Sequence, residues 1–112
     1  MRRSGSLLLL TLTCLVVTAA SAAGADTEIP VTIEMNRFQP SEIKVKAGQP
    51  FVLVVTNKDA TPEEFESKEL RIEKVIPAGK TLKIRVRALK PGAYPFVGDF
   101  HQATAKGRIV AE

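Results

Sequence analysis

Residues 82–97 read LKIRVRALKPGAYPFV. Leu82, Ile84 and Val86 alternate with Lys83, Arg85 and Arg87, the period of two of a strand with one face in a core and one in water. Lys90-Pro91-Gly92 turns the chain, and Tyr94 to Val97 resumes an extended run. Upstream the same rhythm repeats. Ile29, Val31, Ile33 and Met35 share one face of a strand, which Asn36 to Pro40 interrupts. Ile43, Val45 and Ala47 alternate with Glu42, Lys44 and Lys46, and Ala47-Gly48-Gln49-Pro50 turns. Phe51 to Val55 (FVLVV) is a short, β-branched, continuous apolar run, the mark of a strand buried on both faces. Leu70 and Ile72, with Lys74, alternate against Arg71, Glu73 and Val75 before the turn Pro77-Ala78-Gly79; Arg108 to Ala111 supplies a further strand. Strand signals with turns every ~8–12 residues predict an all-β, antiparallel sandwich or barrel of about seven strands. No stretch carries a sustained helical stripe, although Glu63 to Leu70 is compatible with one helical turn.

The first 25 residues read as a separate object. Arg2 and Arg3 precede the apolar run Leu7 to Val17, and small residues follow at Ser21-Ala22-Ala23 and Ala23-Gly24-Ala25, the three-part pattern of a secretory signal peptide. The apolar stretch is shorter than the ~20 residues of a spanning helix, so no membrane span is expected after cleavage. Cys14 lies inside it and leaves with it. The remaining 87 residues, 26–112, form one domain with no thiol. Its balance is 14 basic against 12 acidic residues, or +2, because Arg2 and Arg3 are the only charges lost. No basic stripe is interleaved with aromatics, so nucleic acid is not an expected partner.

The stretch Tyr94 to Gly107, YPFVGDFHQATAKG, opens with the strand-like run and places Asp99 and the only histidine, His101, between it and the final strand. In an extended segment Asp99 and His101 point the same way and Phe100 points opposite, toward the core. Gly98 permits an unusual backbone just before them. The bland alternative for His101 is packing or surface. Glu63, Glu64 and Glu66 place three carboxylates in four residues, which repel unless a cation or basic partner is near; here the bland alternative is a solvated loop neutralised by Lys58, Lys68 or Lys74. A strict strand buries Phe65, sends Glu64 and Glu66 outward and Glu63 inward or toward one end; a bulge reverses this. Met35 reads as core rather than as a thioether ligand, Lys74 and Lys106 as solvent lysines able to pair with the glutamates, and Tyr94 as packed beside the turn with its hydroxyl bonded. The chain has no G-x-S-x-G, phosphate loop or Cys/His zinc spacing.

The motifs N-x-D-x-x-P (Asn57 to Pro62) and P-G-x-Y-x-F…H…G-x-I-V (Pro91 to Val110) resemble the cupredoxin fold, a Greek-key sandwich. In its blue-copper members a cysteine precedes the motif's histidine by three residues and a methionine follows it. Here His101 matches the histidine, Gly98 stands at the cysteine, Lys106 falls near the methionine, and Glu63 takes the place of the other histidine. The resemblance therefore implies no copper–thiolate centre. It implies a set of imidazole and carboxylates that suits Cu(II), iron, Zn or Mn better than Cu(I). Glu64-Phe65-Glu66, Glu73-Lys74 and Gly98 to His101 are similar to the cysteine-poor cupredoxin-like components of bacterial iron uptake of the Ftr and Efe type. That likeness implies a periplasmic protein binding copper or iron through Glu64, Glu66, Asp99 and His101, with Glu63 as an alternative in register. It implies an iron-binding periplasmic protein or inner-membrane iron permease as partner, and Fe(II) oxidation as a candidate activity. The competing expectation is a metal-free sandwich that docks a periplasmic or membrane partner.

Overall fold

The computed structural model describes residues 2–8, 12–16 and 26–112. Residues 2–8 and 12–16 are exposed and without regular structure; the rest of the expected signal segment lies outside the described residues. Among those described, no helix is long and apolar enough to cross a membrane.

Among the described residues nine strands build two sheets: β1 (Thr27–Glu34), β2 (Arg37–Gln39), β3 (Glu42–Val45), β4 (Phe51–Asn57), β5 (Glu63–Ser67), β6 (Ile72–Ile76), β7 (Thr81–Val86), β8 (Gly92–Gly98) and β9 (Lys106–Ala111), with one 3₁₀ turn at Asp99–His101. One sheet runs β2-β1-β4-β7 and the other β3-β9-β8-β5-β6. The all-β sandwich is as expected, but it is mixed rather than purely antiparallel: β1 pairs parallel with β4, and β3 parallel with β9. Alternating side chains look alike in either direction, so the period of two carried no information on this point.

The strand count exceeds seven because two stretches read otherwise are strands. Arg37–Gln39, inside the Asn36 to Pro40 interruption of the first alternation, pairs back on β1 and buries Phe38. Glu63–Ser67 is strand rather than helical turn, tied on both sides by β6 and β8. Cross-strand pairing overrides weak local propensity here.

The core lies between the sheets. Phe65 stacks on Phe96 at 4.8 Å, and Phe38 meets both edge-on, at 5.9 and 4.9 Å. Gly107 lies under the Phe96 ring, where a Cβ would come within 2.3 Å of Cζ; the glycine in G-x-I-V is what lets the ring lie flat on β9. On β4, Phe51, Leu53, Val55 and Asn57 face inward. Val52 faces out yet is buried, at the floor of a depression lined by Asp26, Glu28, Lys83 and Arg85. The pairs Lys83–Glu28 (2.8 Å) and Arg85–Asp26 (2.9 Å) hold the long stems there. That is why an apolar residue sits on the solvent face of a central strand.

Candidate metal centre

Three connections meet at one end of the sandwich, and the N-x-D-x-x-P motif ties them. Asn57 is fully buried; its amide donates to Thr61 O (2.9 Å) and Ile76 O (3.0 Å), and its Oδ1 accepts from Asp59 N (3.0 Å). The Asp59 carboxylate accepts from Met35 N (2.8 Å) and Asn36 N (2.9 Å), closing a turn whose two residues both have positive φ. Thr104 Oγ1 donates to Asn36 O at 2.6 Å, and Gly98 N and Ala105 O bond across the base of the Asp99 loop at 2.8 Å. A loop tied this way holds its side chains at fixed positions.

Glu63 opens β5 and points inward, as strict alternation requires; it is 1% exposed. Its Oε1 accepts from Glu64 N (3.0 Å) and Phe100 N (3.0 Å), and its Oε2 lies 2.6 Å from His101 Nδ1. A carboxylate accepts only, so the ring nitrogen donates. His101 is partly exposed, at 26% of its side chain. The register alternative therefore pairs with the lone imidazole.

Glu64 and Glu66 face out on the other side of β5. With Asp99 they place one carboxylate oxygen each within 4.8 Å of one another, and among the described residues no other group of three His, Cys, Asp or Glu side chains does so. Glu73 on β6 is the cross-strand partner of Glu66. Hydrogen bonding to Glu73, then partial burial and the negative charges of Glu73, Asp99 and Glu66, push Glu64 up to about 7. Glu66 is raised by its hydrogen bond to Asp99, by burial and by the charges of Asp99 and Glu73, with Lys68 opposing. Gln102 Nε2 donates to Asp99 Oδ1 at 2.6 Å. Glu66, Asp99 and Gln102 line a shallow surface depression with Lys68, Pro95 and Val97.

The five expected ligands thus fall into two groups: Glu63 with His101 inside, and Glu64, Glu66 and Asp99 outside. Several neighbouring readings change. The Asp99–His101 segment is a 3₁₀ turn, with three residues per turn, so Asp99 and His101 do not share a direction and Phe100 is 47% exposed instead of anchored. Met35 is not core but 72% exposed in its turn. Gly98 has ordinary extended backbone; it is glycine for lack of room. A Cβ there would meet Ala105 Cβ and Glu63 Cδ at 2.6 Å and Glu63 Oε2 at 2.8 Å. Lys74 and Lys106 are exposed, and Tyr94 donates its hydroxyl to Lys90 O at 2.8 Å as expected. Glu73 and Gln102 were missed as members of the outer group. Glu73 enters through strand register and Gln102 through the turn, and neither is a local pattern.

A mixed nine-stranded sandwich with a histidine loop before the strand that follows it defines a cupredoxin-type architecture. The chain belongs to the cupredoxin-like domain family, which matches residues 6–111. An uncharacterized protein of Rickettsia prowazekii (strain Madrid E) is 40% identical over 83 residues; the match covers 74% of this chain and 66% of that protein, just under two thirds of its length. Among solved structures the fold is similar to auracyanin A, a blue copper protein of Chloroflexus aurantiacus (TM-score 0.67, 14% identity, 79% of this chain and 100% of that one). It is also similar to the metal-binding domain, with Cu(I), of the Streptococcus pneumoniae D39 Cu(I)-exporting P-type ATPase (TM-score 0.65, 18% identity, 76% and 84%).

A resident copper ion of the blue type does not fit the interior of this chain. Two ligands held ~2 Å from an ion in a trigonal site lie about 3.5 Å apart, whereas His101 Nδ1 and Glu63 Oε2 are 2.6 Å apart. Position 98 has no side chain, and the space beside it is filled by the Glu63 carboxylate.

Proposed function

We propose that this cupredoxin-like protein handles a copper or iron ion as cargo in the periplasm, in support of iron uptake. The observation that carries the reading is the approach of Glu64, Glu66 and Asp99 oxygens to within 4.8 Å of one another. Three oxygens suit a hard or borderline cation; Glu64 and Glu66 are raised by hydrogen bonds to Glu73 and Asp99, by burial and by the neighbouring negative charges, and the repulsive part of this is what a bound cation relieves. An ion held at an open outer face can be passed on to an iron-binding periplasmic protein or to a permease. Calorimetric titration of chelator-treated protein with Cu(II), Fe(II) and Mn(II), repeated with Glu66→Gln and Asp99→Asn, tests the binding. Equal affinity in wild type and both variants sinks it. Iron accumulation that is unchanged in cells lacking the protein removes the uptake role.

The second reading, a metal-free module that docks a partner, is favoured by one observation. Every buried side-chain polar atom among the described residues has a hydrogen-bond partner, including those of Glu63. No ion bound by any variant or by wild type would select it.

A further inference from the structure

We propose that Glu63 and His101 form a permanent metal-free bridge at the loop end of the sandwich, in which Glu63 takes the space of a side chain at position 98 and pins the Asp99–His101 turn to β5. Three observations support this independently of whether an ion binds outside. The first is space. The Cβ that Gly98 lacks would lie 2.6 Å from the Glu63 carboxyl carbon and 2.8 Å from Oε2. One residue's carboxylate therefore occupies another residue's side-chain volume, and glycine is the complement that makes room for it.

The second is valence. Glu63 Oε1 is held by two backbone N–H groups from different elements, Glu64 on β5 and Phe100 in the turn, and Oε2 is held by His101 Nδ1. Both oxygens and the inner ring nitrogen are engaged. A carboxyl group buried to this extent persists only when its oxygens are so paired. The third is connectivity. The turn itself is braced by His101 O, which accepts from Thr104 N (3.1 Å) and Ala105 N (2.8 Å). The ring and the backbone of His101 thus fix the two sides of one loop, and Glu63 fixes that loop to the sheet. Asp99 is next to Phe100, whose N–H Glu63 holds, so the bridge also places Asp99 beside Glu66. Glu63 is in this sense a positioning residue for the outer carboxylates.

The test is nitrogen-15 NMR on the full chain, chelator-treated, with Zn(II) as the probe ion. The expected wild-type result is a slowly exchanging His101 Nδ1 proton whose nitrogen resonance does not move on adding one equivalent of Zn(II). Glu63→Ala is expected to speed exchange of the Phe100 amide about tenfold or more, one lost hydrogen bond's worth. Glu63→Gln, which keeps an acceptor oxygen for the Phe100 N–H but sets an amide donor against His101 Nδ1, is expected to retain Phe100 protection and lose the slowly exchanging Nδ1 proton; it serves if the alanine variant does not fold, and an unchanged Nδ1 proton there also overturns the bridge. Zn(II) bound outside with an unmoved ring supports the bridge. Where Zn(II) does not bind, the Phe100 amide decides: faster exchange in Glu63→Ala supports the bridge, while the copper and iron titrations above decide the proposed function separately. A ring nitrogen displaced by Zn(II), or a Phe100 amide indifferent to Glu63→Ala, overturns it.

Discussion

Replacing Gly98 by alanine adds one methyl group at the most crowded point of the loop end. Its carbon would come within 2.6 Å of Ala105 Cβ and of the Glu63 carboxyl carbon. Neither neighbour is free to give. Ala105 is fully buried and bonded through both its N–H and its carbonyl, and Glu63 is held at both oxygens. Overpacking of this kind costs about 1–3 kcal/mol, and shifting Glu63 loses part of a buried charged network worth about 1–3 kcal/mol more. A total of about 3 kcal/mol lowers Tm by about 12–24 °C in a domain of this size. Thermal melts by circular dichroism read the value. The control is Gly79→Ala, where a Cβ has open space and only the backbone conformation at φ +70 resists; about 1 kcal/mol is expected there. A Gly98→Ala Tm no lower than that of the control would refute the crowding and, with it, the account of why this position is glycine.

Asn57→Ala strands two backbone carbonyls and one N–H that now pair with the buried amide; a loss of about 3 kcal/mol is expected in chemical denaturation. The pH dependence has a definite sign. Glu64, raised to about 7, and Glu66, also raised, hold their protons more tightly folded than unfolded. Their contribution to stability is full below the ordinary carboxylate range and is lost as pH rises through about 7. Relative to Glu64→Gln, wild-type Tm should therefore fall between pH 5 and pH 8; a constant difference across that range would contradict the raised value. Glu66→Gln should weaken Mn(II) or Fe(II) binding about tenfold or more, read by calorimetry. Arg108→Ala breaks a pair with Glu42 (2.9 Å) in which both side chains are about half exposed, and should cost less than about 1 kcal/mol.

The strands with a clean period of two, Leu82 to Val86 and Ile43 to Val45, were legible because one face meets the core and the other meets water. Arg37–Gln39 was not, because three residues carry too little pattern and its evidence is the partner strand. Strand direction was invisible for the same reason. Near the site, the strict-strand alternative has Glu63, Phe65, Glu64 and Glu66 on the faces where they lie, but the residues alone leave a bulge or turn equally open, and the pairing with β6 and β8 decides it. Alternation failed for Phe100 and Met35 because both sit in tight turns, where the period is neither two nor fixed. The role of Gly98 was also hidden. The sequence shows a missing side chain, but only the fold shows whose carboxylate fills the vacancy. The N-x-D-x-x-P stretch read as loop chemistry, and its structural meaning, a knot joining three connections, needed the distances.

The strand Lys106–Ala111 lies between β3 and β8 and reaches its neighbours in opposite senses, parallel to one and antiparallel to the other. Its sheet is therefore completed late during synthesis. Until those six residues emerge, β3 has no partner strand among the described residues and the floor beneath Phe96 is missing, so the earlier part of the chain is not expected to settle into a smaller stable sandwich. A chain stopped short of them is expected to be degraded or aggregated rather than to survive as a functional fragment.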